Sequence, residues 1–396
     1  MRGLYTFGIR AYATAVKLAA WFGNDKAKLW VEGRKQPLPP TEGDEAWVWF
    51  HAASLGEFEQ GRPLIEALKQ HYPQLKVSLT FFSPSGYEVR KNYALADEVL
   101  YLPIDTPRNA QAWVKRHRFV AAFFIKYEFW FNYMKAIADK GIPLYYISLI
   151  LKPNQYFFRW YGGWCKKQLY HVSHFFVQDE TTLNLLKGFH NVTLCGDTRF
   201  DRVAAIAKTA KRFPEIEKFI NGRKCIIAGS TWPPDEKLLI PYLEHLPDNY
   251  CMIVAPHDIS EKHIKQIREA LKGIKPDKVY LIDTIGMLSQ LYQYAHFVYI
   301  GGGFGVNIHN IQEPVTFGCP VVFGPKYKSF KEAVDLIKLG GAFSINDQSG
   351  LKQIFDQLIN DEAFHQQAST TCKDYLNSQL GATDIIMKEI TSTFSF

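Results

Sequence analysis

The sequence lacks the features that mark metal-binding, redox and nucleic-acid-binding proteins. Its 6 cysteines, at positions 165, 195, 225, 251, 319 and 372, form no C-x-x-C pair and no Cys/His cluster with zinc spacing. This scatter fits a reducing cytosol and no structural metal. No signature of an RNA- or DNA-binding module occurs either. The net charge of +7 therefore indicates a nucleotide or an anionic membrane, rather than nucleic acid, as the acidic partner.

The glycine motifs of the common nucleotide-binding folds are also missing. The turn after the first predicted strand reads Ala52-Ala-Ser-Leu-Gly-Glu57 rather than G-x-G-x-x-G. The next strand ends at Ser83-Pro84, where a dinucleotide-binding fold would carry a ribose-binding acid. Gly301-Gly-Gly-Phe-Gly305 has no following Lys-Ser/Thr, so it is not a Walker A loop. These absences argue against a dinucleotide enzyme and against a P-loop enzyme.

What the sequence does contain is a regular alternation of strand and helix patterns. With 396 residues, of which 47% are hydrophobic, two α/β domains with parallel sheets are the expectation. The first set of strands is predicted at 46–50, 76–81, 98–102, 120–125, 144–149, 175–177 and 192–195. The second set is predicted at 225–228, 251–254, 279–282, 297–300 and 321–323. The segment 204–223, which is broken at Pro214, is the predicted hinge.

The stretch from Ala46 to Glu57 is the most informative one. An apolar strand runs into a turn of small residues, and a helix with Leu64, Ile65 and Leu68 on one face follows. Ligands bind at the carboxyl ends of such strands, which places Glu57 at the mouth of a crevice. The alternative is that Glu57 only complements the dipole of its helix.

The N-terminal segment predicts a helix with basic residues beside an apolar face. Residues 3–22 contain no acidic residue, and Thr6, Arg10, Thr14 and Lys17 fall along one face of a helix, away from Leu4, Tyr12, Val16 and Ala19. This pattern favours a helix that lies in a membrane interface, with residues 1–35 as a membrane-associated helix and basic tail. The alternative is a helix packed on the protein itself.

Several motifs resemble those of the 3-deoxy-D-manno-octulosonic acid (Kdo) transferases of lipopolysaccharide synthesis. The family pattern His-Ala-x-Ser-x-Gly-Glu is His51 to Glu57 here. The other matching segments are Arg62 to Ile65, Thr80 to Gly86, Leu102 to Asp105, Glu128 to Asn132, Gly196 to Asp201, Ala228 to Thr231, Asp283 to Gly286 and His309 to Pro314. The resemblance implies the GT-B fold: two Rossmann-like domains that face a central cleft, 36–208 for the acceptor and 209–396 for the CMP-sugar. The last helix is able to pack back on the first domain.

The resemblance implies transfer of Kdo from CMP-Kdo to a lipid A precursor, by direct displacement and without a cofactor or metal. A sugar hydroxyl must lose a proton as it attacks, and Glu57 is the candidate general base. Glu128 is implied to act in the transition state; its alternative is a loop carboxylate paired with Lys126. Arg199, where the family has Lys, is the candidate for stabilising the departing phosphate. Its alternative is an ion pair with Asp197 or Asp201.

The second domain is expected to hold CMP. Ser230 and Thr231 resemble a helix N-cap that presents amides to the phosphate, with simple capping as the alternative. The resemblance places further contacts at Pro256, His257, Gly286, Met287, Leu288, Asn310, Ile311, Gln312 and Glu313. The family's Pro-Arg-His is Pro256-His257-Asp258 here, which removes a permanent charge. Glu313 is suited to accept two ribose hydroxyls, whereas its alternative is dipole complementation.

The acceptor side and two rival functions remain open at this stage. The aromatic and basic segment from Tyr156 to Lys167 fits either a lipid-binding surface or a helix packed on the core, and the family's Asn-Ala-Arg is Ser148-Leu149-Ile150 here. The expected location is the cytoplasmic face of the inner membrane, with the anionic membrane surface as a partner. The rivals are a GT-B enzyme that uses a UDP-sugar and a non-catalytic membrane-bound protein of the same fold.

Overall fold

The computed structural model describes residues 1–41 and 43–391, which form two compact units. The first unit comprises Met1–Asp201 together with the chain from Gly381 onward, and the second comprises Arg202–Leu380. The division thus falls shortly before the boundary at 208 that the sequence suggested. The chain returns to the first unit at Gly381, a return that the sequence analysis allowed for the last helix.

The first unit is built on a parallel sheet with seven strands among the described residues. The strands are β1 (Ala46–Ala52), β2 (Lys76–Phe81), β3 (Glu98–Tyr101), β4 (Arg118–Ile125), β5 (Leu144–Leu149), β6 (His174–Val177) and β7 (Val192–Leu194). They lie in the order β3-β2-β1-β4-β5-β6-β7. Most residues of the central strands are buried, as expected for a parallel sheet that is covered on both faces.

Helices cover both faces of this sheet. They are α1 (Arg2–Trp21), α2 (Asp25–Gly33), α3 (Leu55–His71), α4 (Pro84–Arg90), α5 (Pro107–Trp113), α6 (Phe131–Asp139), α7 (Gly163–Gln168), α8 (Glu180–Leu185) and, from the C-terminal segment, α18 (Ala382–Thr391). On one face, α3 buries Leu64, Ile65 and Leu68, as the sequence pattern predicted. Ile386 and Ile390 of α18 belong to the same core cluster. Asp201 fixes the start of α18 by accepting hydrogen bonds from Gly381 N and Thr383 N, both at 2.7 Å.

The second unit holds a parallel sheet with six strands among the described residues. These are β8 (Lys224–Thr231), β9 (Tyr250–Pro256), β10 (Val279–Leu281), β11 (Ala295–Ile300), β12 (Val321–Phe323) and β13 (Ala342–Ser344), in the order β10-β9-β8-β11-β12-β13. The sequence did not predict β13, which has three residues and pairs only with β12 within the described chain.

The helices of the second unit follow the same alternation. The helix α9 (Arg199–Lys208) contains the boundary between the units. It is followed by α10 (Pro214–Ile220), α11 (Pro233–Tyr242), α12 (Glu261–Ala270), α13 (Leu288–Leu291), α14 (Gln312–Thr316), α15 (Lys331–Leu339), α16 (Gln348–Asn360) and α17 (Glu362–Gln379). Pro214 stands at the first position of α10, where a proline needs no N–H, so it begins a helix and leaves 209–213 as the break.

The N-terminal helix α1 packs on the first unit through its polar residues. Arg2 Nε donates to Asn132 Oδ1 at 2.9 Å, Asn132 Nδ2 donates to Thr6 Oγ1 at 3.2 Å, and the Tyr5 hydroxyl donates to Asp105 Oδ2 at 2.6 Å. Thr6 is therefore buried, so the face that carries Thr6, Arg10, Thr14 and Lys17 in part contacts the protein. In the described chain, no helix has both the length and the apolar character needed to cross a membrane.

The opposite side of α1 is an exposed apolar stripe. Leu4, Phe7, Leu18 and Trp21, together with Phe22 just beyond the helix, are between 52% and 78% exposed and follow one another at helical spacing. The exposed cations Arg10 and Lys17 flank this stripe. The helix is thus amphipathic, but the boundary between its faces differs from the predicted one because a polar network anchors it.

Each sheet has one point at which the direction of strand addition reverses. In the first unit this point lies between β1 and β4, and in the second between β8 and β11. The loops that leave these neighbouring strands diverge to opposite faces and open a crevice at the carboxyl edge. Both crevices contain residues that the sequence analysis selected.

Candidate active site

Glu57 lies at the carboxyl edge of the first sheet, in the first turn of α3. The chain leaves β1 at Ala52, Ser54 is the N-cap of α3, and Glu57 is its third residue. The Ser54 hydroxyl donates to the Glu57 carboxylate, which fixes the side chain over the first turn. Gly61 lets α3 approach β4, because a Cβ there would lie 2.9 Å from Ile125 Cδ1. This close packing sets the distance of the first turn of α3 from the sheet.

Glu128 follows β4, the neighbour of β1, and its carboxylate is held by the buried ring of His51 and the half-buried ring of Trp130. Glu128 Oε2 lies 2.9 Å from Trp130 Nε1 and 3.3 Å from His51 Nε2. The Tyr146 hydroxyl donates to the Glu128 carbonyl at 2.9 Å, which fixes the backbone as well. The chain makes this turn with Lys126 at a φ of 60°, a conformation that is costly for a residue with a side chain. The carboxylate is therefore positioned by the fold rather than left as a mobile loop group.

Arg199 is the first residue of α9 and pairs with Asp197. Arg199 Nε donates to Asp197 Oδ2 at 2.8 Å, and Arg199 N donates to Asp197 Oδ1 at 3.0 Å. The Arg199 side chain is 31% exposed. Of the two partners weighed from the sequence, Asp197 makes this pair, whereas Asp201 holds the start of α18. Thr198 ties the turn to the sheet, since its hydroxyl lies 3.1 Å from Ser148 Oγ at the end of β5.

Tyr127 lies near the charges of both Glu57 and Arg199. Burial, and then the negative charge of Glu57, raise the pKa of the Tyr127 phenol, while the positive charge of Arg199 opposes this rise. A phenol feels both charges only when both lie near it. The fold therefore brings Glu57, Glu128 and Arg199 to one edge of the first sheet, around residues that the sequence analysis did not select: His51, Tyr127 and Trp130.

In the second unit, Asp235 organises the crevice between β8 and β11. Its carboxylate accepts hydrogen bonds from Trp232 N and Gly302 N, both at 2.9 Å, and from the Tyr299 hydroxyl at 2.8 Å. Asp235 is 1% exposed, and burial raises its pKa. Gly301 allows β11 to leave the sheet beside β8, because a Cβ there would lie 2.2 Å from the Ser230 carbonyl oxygen. These contacts fix the backbone of both loops.

Ser230 and Thr231 do not form the N-cap that the sequence suggested. They are the last residues of β8, and the N-cap of α11 is Trp232. The Thr231 hydroxyl is buried and donates to Glu236 Oε1 at 3.0 Å. Ser230 has a φ of 53°, so the backbone turns sharply at the edge of the sheet. Two prolines at 233 and 234 start α11, which shifts the cap to the residue before them.

His257 is part of an exposed stack of three rings at the carboxyl ends of β8 and β9. Its imidazole lies 4.8 Å from the ring of Trp232 and 4.4 Å from that of His309, centroid to centroid. Trp232 Nε1 donates to His309 Nε2 at 3.0 Å. Burial, and then the neighbouring His257, lower the pKa of His309. His309 therefore acts as a neutral acceptor, and the stack offers a flat, π-rich surface. Trp232 and His309 were not selected from the sequence.

The remaining selected residues divide into those that face outward and those that are buried. Asn310 is exposed and its Nδ2 lies 3.3 Å from Glu313 Oε1. Ile311 and Gln312 are at most 1% exposed, so their side chains pack inward. Gly286 has a φ of 96°, and Met287 precedes Leu288 at the start of α13. Pro256 ends β9.

Glu313 and Leu288 approach the end of β8 from different loops. A Cβ on Gly229 would lie 2.3 Å from the Tyr292 hydroxyl and 3.2 Å from Leu288 Cδ1. Burial, and next the charge of Glu313, raise the pKa of Tyr292. Glu313 and Leu288 are thus gathered around Tyr292 at the edge of the second sheet.

Comparison with solved structures defines the class of fold. The structure of a UDP-GlcNAc 2-epimerase from Neisseria meningitidis matches with a TM-score of 0.64 and 15% identity, over 88% of this chain and 99% of that one. The two parallel sheets, each with a switch point, together with this match define a GT-B-like α/β fold.

Sequence comparison then indicates a family. A family model described as "3-Deoxy-D-manno-octulosonic-acid transferase (kdotransferase)" matches residues 26–202, the segment that carries Glu57, Glu128 and Arg199. A 3-deoxy-D-manno-octulosonic acid transferase from Aquifex aeolicus is 25% identical over 79% of this chain and 86% of its own length. A bifunctional glycosyltransferase/methyltransferase from Fusobacterium nucleatum is 21% identical over 95% of this chain, which spans only 62% of that longer protein. The chain is thus similar, over much of its length, to Kdo transferases, which are glycosyltransferases.

Proposed function

We propose that this chain transfers Kdo from CMP-Kdo to a lipid A precursor by direct displacement, with Glu57 as the general base. The observation that carries the proposal is the arrangement at one edge of the first sheet. Two carboxylates, Glu57 and Glu128, follow the adjacent strands β1 and β4, and the cation Arg199 lies close to the same Tyr127 as Glu57. All three residues fall within the segment that the family model matches.

Glu57 suits the role of base because it is both accessible and oriented. Its side chain is partly exposed, and the Ser54 hydroxyl holds one of its oxygens over the first turn of α3. The acceptor hydroxyl becomes more acidic as it bonds to the anomeric carbon, and a carboxylate within hydrogen-bond reach accepts the proton at that moment.

Glu128 suits a role in the transition state because it is held rigidly and is 12% exposed. As the bond to CMP breaks, positive charge develops at the anomeric centre, and a carboxylate fixed in advance stabilises that charge without reorganising. Arg199 is suited to the opposite charge, which develops on the departing phosphate. The pair with Asp197 orients the Arg199 guanidinium and offsets part of its positive charge. We therefore expect the guanidinium to bind Asp197 and the leaving phosphate at the same time.

The second unit supplies the surface for the nucleotide in this proposal. The rings of Trp232, His257 and His309 offer a face on which a pyrimidine base can stack. Asn310 and Glu313 expose an amide and a carboxylate that can bind ribose hydroxyls. His257 stands where the family has an arginine, so this chain replaces a fixed charge by an aromatic contact. Ile311, Gln312 and Thr231 contribute through their backbone, since their side chains are buried.

The lipid acceptor is supported by the apolar surfaces of the first unit. The exposed stripe of α1 and its flanking cations fit a helix that lies in the headgroup region of an anionic membrane. Beside it is an open groove of about 540 Å³ whose apolar lining includes Tyr12, Val16, Leu29, Trp30 and Phe82. The ring of Phe82 lies 4.8 Å from that of Trp130, which contacts Glu128. We infer that the acyl part of the acceptor occupies this side, at the cytoplasmic face of the inner membrane.

The decisive experiment is incubation of the full chain with CMP-Kdo and a lipid A precursor, with the product read by mass. A mass increase of one or more Kdo units supports the proposal. Parallel incubations with UDP-sugars test the rival donor class, and transfer from a UDP-sugar alone would refute the proposed donor. Absence of transfer from every donor would favour the non-catalytic reading.

A further inference from the structure

His51 lies at the centre of a buried hydrogen-bond chain that ends on Glu128. It is 0% exposed and stands on β1, opposite Thr80 of β2. His51 Nδ1 lies 2.9 Å from Thr80 Oγ1, and His51 Nε2 lies 2.9 Å from Trp130 Nε1 and 3.3 Å from Glu128 Oε2. The proposed mechanism gives this imidazole no part, although it opens the motif that contains Glu57.

The hydrogen-bonding groups around the His51 ring determine which of its two nitrogens carries a proton. Trp49 Nε1 can only donate, and it lies 2.8 Å from Thr80 Oγ1. The Thr80 hydroxyl itself donates to the Phe50 carbonyl oxygen at 3.2 Å. Thr80 therefore offers His51 Nδ1 a lone pair, and Nδ1 carries a proton. The other nitrogen, Nε2, is left to face Trp130 and Glu128.

The nitrogen Nε2 can meet Glu128 in two ways, and both fix the same oxygen. In the neutral ring, Nε2 is an acceptor, and the Trp130 N–H is shared between Nε2 and Glu128 Oε2. In the doubly protonated ring, Nε2–H and Trp130 N–H both donate to Glu128 Oε2. Glu128 Oε2 is thus occupied by protein groups in either state, and Oε1 is the oxygen that remains for the substrate.

We propose that His51 is a positioning residue for the reaction, which holds Glu128 so that Oε1 faces the anomeric centre. The inference rests on the proposed function, because it assigns Glu128 a partner within that chemistry. Its reason is geometric: the ring joins β1 and β2 to the turn after β4, so the carboxylate takes its position from three neighbouring strands. Displacement of a catalytic group by about 1 Å costs on the order of 10²-fold in rate.

A purely structural role for His51 has to be separated from positioning, since the ring also ties β1 to β2. The variants His51→Gln and His51→Asn make this separation. The amide of Gln reaches the place of Nε2 and can contact Glu128 and Trp130, whereas the shorter amide of Asn reaches the place of Nδ1 and keeps only Thr80. Both substitutions disturb the same packed core, so both are expected to lower the melting temperature by similar amounts.

A matched control exists in the same unit. His117 is also buried, stacks on Trp47 at 3.8 Å and lies 3.1 Å from a carboxylate oxygen of Glu98. It precedes β4, at the amino edge of the sheet, away from the proposed site. His117→Asn is expected to lower the melting temperature and to leave the turnover number within a few-fold of wild type.

The test measures kcat, KM for CMP-Kdo and melting temperature for the wild type and these three variants. We expect His51→Asn to lower kcat by about 10²-fold with KM within a few-fold, and His51→Gln to stay within about 10-fold of wild-type kcat. Equal losses in the two His51 variants, or near-normal kcat in His51→Asn, would overturn the positioning role. A wild-type chain that transfers no Kdo would instead refute the proposed function and this inference with it.

Discussion

Glu57→Gln separates a general base from a carboxylate that only stabilises a helix. The amide keeps the size of the side chain, and its oxygen still accepts the Ser54 hydroxyl proton, but it cannot take a proton from the acceptor sugar. Loss of the charge at the first turn of α3 costs roughly 0.3–1 kcal/mol of stability. Loss of general-base catalysis is worth about 10²–10⁴-fold in rate. The two roles therefore differ strongly in the activity that they predict.

The assay is the initial rate of Kdo transfer and the melting temperature, measured on one preparation of the variant. Glu180→Gln is the matched control, because Glu180 is also a first-turn glutamate of a helix that follows a parallel strand, here α8 after β6. We expect both variants to lose little stability, and only Glu57→Gln to lose transfer. A transfer rate within a few-fold of wild type in Glu57→Gln would refute the general-base assignment.

Three further outcomes are expected. Arg199→Ala should lower turnover far more than it weakens CMP binding, because phosphate charge develops only as the bond breaks; unchanged turnover would remove Arg199 from the mechanism. Asp105→Asn should flatten the stability profile seen in urea unfolding between about pH 4 and 6. Burial raises the pKa of Asp105 from 3.8 to about 6, so the folded state keeps a proton that the unfolded chain loses. About 3 kcal/mol of the free energy of unfolding, present below pH 4, is therefore lost as the pH rises. The same dependence of the free energy of unfolding on pH in the variant would contradict this. Phe7→Glu with Leu18→Glu should reduce sedimentation with anionic vesicles, whereas Leu339→Glu, a control in the second unit, should not; equal sedimentation would argue against the α1 stripe as the contact.

Substitutions on α1 test the membrane contact better than deletion of residues 1–35. The helix is tied to Asp105 and Asn132 by its polar residues, and the following helix α2 buries Trp30, which is 5% exposed. Deletion would uncover this surface and would confound loss of membrane binding with loss of stability. The outward residues Phe7 and Leu18 contribute little to that packing, since they are 69% and 52% exposed.

The local patterns of the sequence determined the class of the protein and most of its elements. Runs of apolar residues between helical patterns gave the strands of both sheets except β13, and the segment from His51 to Glu57 identified the first turn of α3. These features are short-range, because a strand or a helix start is decided by residues within a few positions of one another. The motifs that resemble those of the Kdo transferases are likewise short stretches of neighbouring residues.

Only the tertiary structure decided which of these segments become neighbours. The order of the strands places β4 beside β1, so that Glu128 meets His51 although 77 positions separate them in the chain. The stack of Trp232, His257 and His309 joins three loops in the same way, and the polar anchor of α1 decided which of its faces is outward. Parallel pairing depends on crossovers that are long in sequence and on burial of both faces of the sheet, and neither is written in any local pattern.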